Sequence, residues 1–315
     1  MLLAFVLRRL GGAGVVFLLV SLLAFLLIWL VPGDAVAVLL DAAASPEETA
    51  RLRAALGLDR APLEQMLAWY GGLARGELGH SLLLNRSVAE ALLERLPVTL
   101  SLAALALATA VVLGTSAGIG AALAHGSWFD QALMGAALFG LSVPDFWLGL
   151  MFIIVFALGL GWFPTGGFVP FSESPVGWAR SLALPGLALG LTQMGFIARM
   201  ARSAMLDVLD QDFVRTAEAK GLSRRRIILV HALPNALVPI VTVIGIVSGA
   251  LLGGSVVIEQ VFSIPGVGRL IVGAILARDF PVIQGGLIFL AGVYLLVNLI
   301  VDLLYAVIDP RVRLA

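Results

Sequence analysis

From Leu10 to Val31 the chain runs without one ionisable side chain, and five further stretches are nearly as apolar, at about 99–124, 131–160, 182–203, 236–258 and 283–306. The hydrocarbon core of a bilayer is about 30 Å thick, and an α-helix crosses it in about 20 residues. Backbone polar groups inside that core must find partners within their own segment, so such a run predicts a helix rather than an open strand. The pattern predicts an all-α integral membrane protein with six transmembrane helices.

Arginine and lysine in the short loops set the expected orientation. With the amino terminus inside, Arg8, Arg9, Arg199, Arg202, Arg215, Lys220, Arg224, Arg225, Arg226, Arg311 and Arg313 fall on the cytoplasmic side, against Arg180, Arg269 and Arg278 outside. Both termini are expected in the cytoplasm.

The segment at about 33–97 then lies outside and shows the pattern of short soluble helices. In SPEETARLRAALG, Ser45 is placed as N-cap, Pro46 at the first helical position, Glu48 as the return partner of a capping box and Gly57 as the stop. In APLEQMLAWYGGL, Leu63, Met66, Leu67 and Tyr70 share one helical face. NRSVAEALLERLP repeats the capping box with Ser87 and Glu90. These helices are expected over the outer mouth, either as a structural lid or as a docking element. The chain thus divides into 1–98, the first transmembrane helix with its external helical segment, and 99–315, a five-helix core with a cytoplasmic loop at about 204–235.

Composition agrees with a membrane protein: 60% of residues are hydrophobic and 13% charged, against about 25% charged in soluble domains. A net charge of zero gives no sign of nucleic-acid binding, and the absence of cysteine excludes disulfides and thiolate sites. Arg8 and Arg9, the apolar run after them and Ala35-Val36-Ala37 together resemble a secretory signal. Signal cores are about 7–15 residues long, however, so the longer run is expected to be an uncleaved first span.

Chemistry is sparse. His80, His125 and His231 stand far apart without HExxH spacing, and the single lysine, Lys220, sits between Ala219 and Gly221 rather than in a Gly-Lys-Ser/Thr phosphate loop. Gly-x-Ser-x-Gly is also absent. Inside the spans, Asp145 follows Pro144, where the lost helix hydrogen bond should kink the third span. It could line a polar pathway or bond to freed backbone groups. Gln193 and Asn298 could serve a pathway or join helices, and Asp302 is expected to cap or pair near the inner headgroups. Glycines four apart, Gly114 and Gly118, Gly186 and Gly190, and Gly245, Gly249 and Gly253, predict close helix contacts, read as packing ahead of a moving seam.

Positive charge gathers in RTAEAKGLSRRRIILVHALPNAL, from Arg215 to Leu237. LDVLDQDFVRTAEAKG reads as a short helix, with Asp207, Asp210 and Asp212 early, Arg215 and Lys220 late and Gly221 as its stop, an order that suits the helix dipole. A second helix is expected from an N-cap at Ser223, with Pro234 marking a turn into the fifth span. Physics alone leaves two readings, a charged knob or a solvated basic loop.

The spacing Gly221, nine residues, His231-Ala232-Leu233-Pro234 resembles the EAA loop of bacterial ABC importer permeases. The three EAA positions fall on Arg215, Thr216 and Ala217, of which the last alone matches, and His231 replaces an isoleucine. The Arg-Thr-Ala form resembles the dipeptide/oligopeptide/nickel branch. LRRLGGAGVVFLLVSLLAFLLIWLVPGD, LGLDRAP, GELGHS, GSWFDQ, SVPDFWLG, FSIPGVGRL, RDFPVIQG and DPRVR extend that resemblance along nearly the whole chain.

The resemblance implies a type I importer permease fold and a heterodimeric permease: a second, related permease chain, two cytoplasmic ATP-binding subunits and an external substrate-binding protein. No cofactor is expected on this chain, with ATP and Mg on the partner ATPases, and no enzymatic activity of its own. Arg215, Thr216, Ala217, Glu218, Ala219, Lys220, Gly221, Leu222, Leu233 and Pro234 are the expected ATPase-coupling residues, with Arg215, Glu218 and Lys220 as polar contacts. Pro144, Asp145, Gln193, Glu259, Phe262, Pro265 and Asn298 are candidates for the pathway or gate. The connection from Glu259 to Val282 would stand at the outer gate or lie on the surface as an amphipathic helix. The implied cargo is a small solute, a short peptide or a nickel chelate. The competing reading is a self-sufficient secondary transporter or channel built around Asp145.

Overall fold

The structure, a computed structural model, describes residues 2–30, 47, 50, 53–54 and 59–308. The helix expected from Ser45 to Gly57 lies outside the described residues, apart from isolated positions, as does the DPRVR motif; of Asp302 only the helical backbone is described.

Helix α1 spans Leu2–Leu30, α2 Pro62–Ala74 and α3 Val88–Leu123; between α2 and α3, β1 (His80–Ser81) and β2 (Arg86–Ser87) form a small antiparallel hairpin. Then come α4 (Trp128–Ser142), α5 (Asp145–Phe152) with a π-helical continuation Ile153–Gly159, α6 (Pro175–Leu209) and α7 (Asp212–Ala219). A short α8 (Arg224–Arg226) passes through a π-helical stretch, Ile227–Ala232, into α9 (Leu233–Val261), followed by α10 (Val267–Ala277) and α11 (Phe280–Ile308).

Five of these helices, counting α8 to α9 as one, are long and apolar enough to cross a membrane, and α4 with α5 supplies a sixth crossing as a broken pair bent by 101°. The expected kink in the third span is therefore a break. Pro144 excludes its predecessor from helical geometry, and Val143 is extended at φ −90°, ψ 127°.

Three other expectations are corrected. The short external helix expected to begin near Ser87 is the first turns of α3, which continues through Pro97 without interruption. No turn forms at Pro234, because Arg224–Val261 is one continuous helix. Proline lacks an N–H and is tolerated in the first turn of a helix; here the preceding π-helical stretch absorbs the irregularity, and the Asn235 side chain donates to the His231 carbonyl at 2.7 Å. Finally, Leu206–Leu209 close α6, so the short loop helix begins only at Asp212.

The chain forms two compact units. Among the described residues, one comprises Leu2, 98–265 and 296–308. Its core is built on Leu102, Leu182, Leu189, Ile197, Leu251, Ile258 and Phe262. Small residues let α3 and α6 meet along their backbones, as expected where lipid gives no hydrophobic drive. A Cβ on Gly190 would stand 2.7 Å from the Ala106 carbonyl oxygen, and one on Gly118 would overlap the Ala198 carbonyl. The same holds between α4 and α6, where a Cβ on Gly195 would overlap the Ala137 carbonyl. Gly245 packs against Val301, whereas a Cβ on Gly253 would meet nothing within 4 Å, so the third glycine series is not one continuous contact.

This contrast gives a first expected outcome. Overpacking such seams costs about 1–3 kcal/mol. Gly118→Ala should lower the thermal midpoint of the purified chain in mild detergent, and Gly253→Ala should leave it unchanged.

The other unit comprises the described residues within 3–97 and 266–295. Val88 and Leu92 of α3 pack with Val267, Ile271 and Ala274 of α10 and Val282 of α11. The Ser81 hydroxyl donates to the buried Asp279 carboxylate, whose other oxygen accepts from the Val282 amide at 3.4 Å, tying the hairpin to the start of α11.

Candidate functional site

The stretch from Asp212 to Ile227 folds as a small helical projection. In α7, Val214 and Ala217 are buried and pack with Ile227 and Leu222. The remaining side chains of α7 are exposed, including Phe213, Arg215, Thr216, Glu218 and Ala219, followed by exposed Lys220. Two buried positions three apart seat one face of the helix and leave the rest free.

Gly221 closes the helix in the left-handed region at φ 74°. Its amide donates to the Glu218 carbonyl at 2.9 Å, and Leu222 donates back to Ala217 at 3.3 Å. A left-handed residue after the last turn satisfies carbonyls that a helix end leaves open, and glycine adopts it without a Cβ penalty. Arg215 is held across the start of α7 by Asp210 (3.0 Å) and Asp212 (3.6 Å), all three side chains being strongly exposed. Such solvated pairs contribute little to stability, so they orient Arg215 without anchoring it. Leu233 and Pro234 stand apart from this projection, in the first turn of α9.

The base of the projection is fixed. Ala201, Ala204, Met205 and Val208 of α6 pack with Ala232, Ala236 and Ile240 and with Ala122 of α3. Next to Ala201 of this cluster, Arg202 grips Asp130 of α4 in a two-point contact, Nε to Oδ1 and Nη2 to Oδ2, both 2.7 Å. The Asp130 side chain is only 4% exposed. It also accepts from the Gly126 amide at 3.1 Å and lies 3.3 Å from Nδ1 of His125, while Ser127 caps α4 by accepting from the Asp130 amide. Bidentate arginine–carboxylate pairs fix geometry as well as adding energy. Sequence reasoning counted Arg202 only as a loop charge and quoted GSWFDQ only as a motif. The 72-residue separation of the pair hid it.

The pathway candidates divide. Asp145 is the first residue of α5, half-buried, with its Oδ1 accepting from the Phe146 amide at 2.7 Å. That is the local backbone bonding expected beside a proline, and its Oδ2 also lies close to Gly254 of α9. Phe262 is buried, its ring against Gly149 and its carbonyl accepting from the Gly167 amide at 2.8 Å. Glu259, one turn before Phe262, is fully buried and accepts from the Thr99 hydroxyl at 2.7 Å. Asp145, Glu259 and Phe262 thus fall within the contacts of α3, α5 and α9, whereas Pro144, the residue before α5, is exposed. Gln193 and Asn298 are half-buried on α6 and α11 and are not drawn into those contacts, and Pro265 is exposed. Thr99 was not foreseen, since an isolated threonine in an apolar run carries no distinguishing pattern.

Apolar helices long enough to cross a membrane, one broken crossing and a seated helical projection define a multi-pass membrane protein. The chain belongs to the family of binding-protein-dependent transport system inner membrane components, whose profile matches residues 96–314, with the family's amino-terminal profile matching residues 2–103. It is 49% identical over 313 residues to a peptide transport system permease protein of Brucella melitensis, covering 99% of both chains. It is 42% identical over 333 residues to the di/tripeptide transport system permease protein DppB of Pseudomonas aeruginosa, and 40% identical over 336 residues to the dipeptide transport system permease protein DppB of Escherichia coli, again covering 99% of each chain. Among solved structures, the MetNI methionine ABC transporter in an inward-facing conformation aligns with a TM-score of 0.56 at 19% identity, over 67% of this chain and 93% of that one. The fold is that of a type I ABC importer permease.

Proposed function

We propose that this chain forms part of the translocation pathway of an ATP-driven importer for short peptides and takes its motion from partner ATPases through α7. The observation that carries this reading is the projection itself. One face of α7 is seated on the chain by Val214 and Ala217, and its other side chains, Phe213, Arg215 and Thr216 among them, are exposed and leave a surface for a partner. The names of the full-length relatives support peptides as cargo, with a nickel chelate as the neighbouring possibility within the branch.

In this reading both termini and α7 face the cytoplasm, two ATP-binding subunits hold ATP and Mg, and this chain binds neither. A second permease chain completes the pathway and an external binding protein delivers the solute. Closure of the ATPase pair moves α7, and the Asp130–Arg202 pair transmits that movement to α4 and α6 as one body. Glu259 and Phe262 stand at the outer end of α9, where a gate would be placed.

The test is uptake of a labelled dipeptide, a tripeptide and nickel by cells lacking this chain, with and without its restoration on a plasmid. Restored uptake of a peptide supports the proposal. Restored uptake of nickel alone moves the cargo to a chelate, and restoration of neither leaves the peptide assignment wrong.

A further inference from the structure

Helix α2 was expected over the outer mouth, yet its contacts with α1 set it at a definite depth. The Tyr70 hydroxyl lies 3.0 Å from the Ser21 hydroxyl, and the Trp69 and Phe25 rings are 5.7 Å apart. Ser21 is 1% exposed, its hydroxyl also donating to the Leu18 carbonyl.

Two independent rulers fix the level of Ser21. On α1 it lies nine residues from Leu30, about 13 Å at 1.5 Å per residue. On α11 the antiparallel register is set by Gln284, which donates to the Phe25 carbonyl, and by Gly292, packed against Phe17. Ser21 is therefore level with Ile288, eight residues into α11 and about 12 Å from its start. Half of a hydrocarbon core is about 15 Å. With the ends of α1 and α11 taken as the edge of the hydrocarbon core, the Tyr70 hydroxyl falls inside the leaflet opposite Arg8 and Arg9, and the middle of α2 is drawn down with it.

The sequence of α2 suits that position. Leu63, Leu67 and Tyr70 follow one another at i, i+4 and i+7, so the two leucines stand one and two turns before the contact with α1. Leu63 is 62% and Leu67 63% exposed, on the same unit as the exposed leucines Leu19 and Leu23 of α1. Charge is kept to the ends: Glu64 in the first turn, and Arg75 paired with Glu77 at 3.1 Å beyond the last. An amphipathic helix with polar ends and an apolar face sunk about 5–10 Å below the headgroups is an interfacial helix.

We propose that α2 is such a helix, with Leu63 and Leu67 packed against lipid acyl chains in continuity with the lipid-facing surface of α1. Its occupant is the bilayer rather than water, a second permease chain or a docking protein. The inference depends on the depth of α1 and holds for either orientation of the chain and for any cargo.

Because the chain has no cysteine, a single introduced thiol labels it at one position. Leu67→Cys and Leu63→Cys, each carrying a nitroxide, would be measured in the assembled transporter in liposomes by collision with oxygen and with a water-soluble nickel chelate. Leu19→Cys gives the lipid reference and Glu77→Cys the aqueous one, and an unlabelled-site preparation gives the background from partner chains. Only variants that retain uptake are compared. The proposal expects the nitroxide at Leu67 to match Leu19, with high oxygen and low nickel-chelate collision. High nickel-chelate collision places α2 in water, and low collision with both reagents places it under a protein. Either result overturns the proposal.

Discussion

Gly221→Pro should abolish transport while leaving the chain in the membrane at its normal level. Gly221 sits at φ 74°, whereas proline is confined near −65°. The substitution also removes the amide that donates to the Glu218 carbonyl, and it disfavours the conformation of Lys220, whose ψ is 2°. A misplaced proline costs about 3 kcal/mol or more, and every 1.4 kcal/mol is about tenfold in an equilibrium. The seated geometry of Val214, Ala217, Leu222 and Ile227 should therefore fall to a small minority. None of the long apolar helices uses this turn, so their insertion should persist. Gly221→Ala should be intermediate, since a left-handed non-glycine residue costs only about 1–2 kcal/mol. Uptake measured alongside the amount of chain in the membrane gives the graded series glycine, alanine, proline. Equal uptake by all three would show that the projection does not couple transport.

The second large effect is expected at Arg202. Removing one partner of a buried ion pair costs about 3–5 kcal/mol, because the other charge stays buried and uncompensated. Arg202 retains 25% side-chain exposure and Asp130 keeps the Gly126 amide, which puts this site toward the lower end. Arg202→Ala should lower the thermal midpoint in detergent by on the order of 5–10 °C and reduce uptake sharply. Arg202→Lys should recover only part, since an ammonium cannot reproduce the two-point contact. The double variant Asp130→Ala with Arg202→Ala should be more stable than Arg202→Ala alone, because the orphaned carboxylate is gone. Simple additivity of the two single losses would exclude a direct pair.

Much of this was readable from the sequence because membrane physics writes long, unambiguous patterns. The apolar runs gave the helices, and Gly221 with the charges around it gave α7 and its stop. Four features were hidden for identifiable reasons. Pro144 announced a perturbation, but its size depends on what packs against both halves, so a kink and a 101° break read alike. Pro234 suggested a turn because the absorbing π-helical stretch has no local signature. The Asp130–Arg202 pair joins residues far apart in the chain, and Tyr70 looked like one more apolar position on an external helix until its contact with Ser21 was seen. Periodicity reports which face of a helix is apolar; it does not report whether that face meets protein or lipid.

The central claim is that this chain is an importer permease driven through α7. The most direct measurement is ATP hydrolysis by the tagged chain purified with its partners from native membranes in mild detergent, beside the same preparation carrying Gly221→Pro or Lys220→Glu. The account predicts co-purification of chains that carry the nucleotide-binding Gly-Lys-Ser/Thr loop, with hydrolysis that falls in both variants. A chain that emerges alone, without hydrolysis, and still moves solute across vesicle membranes would contradict it.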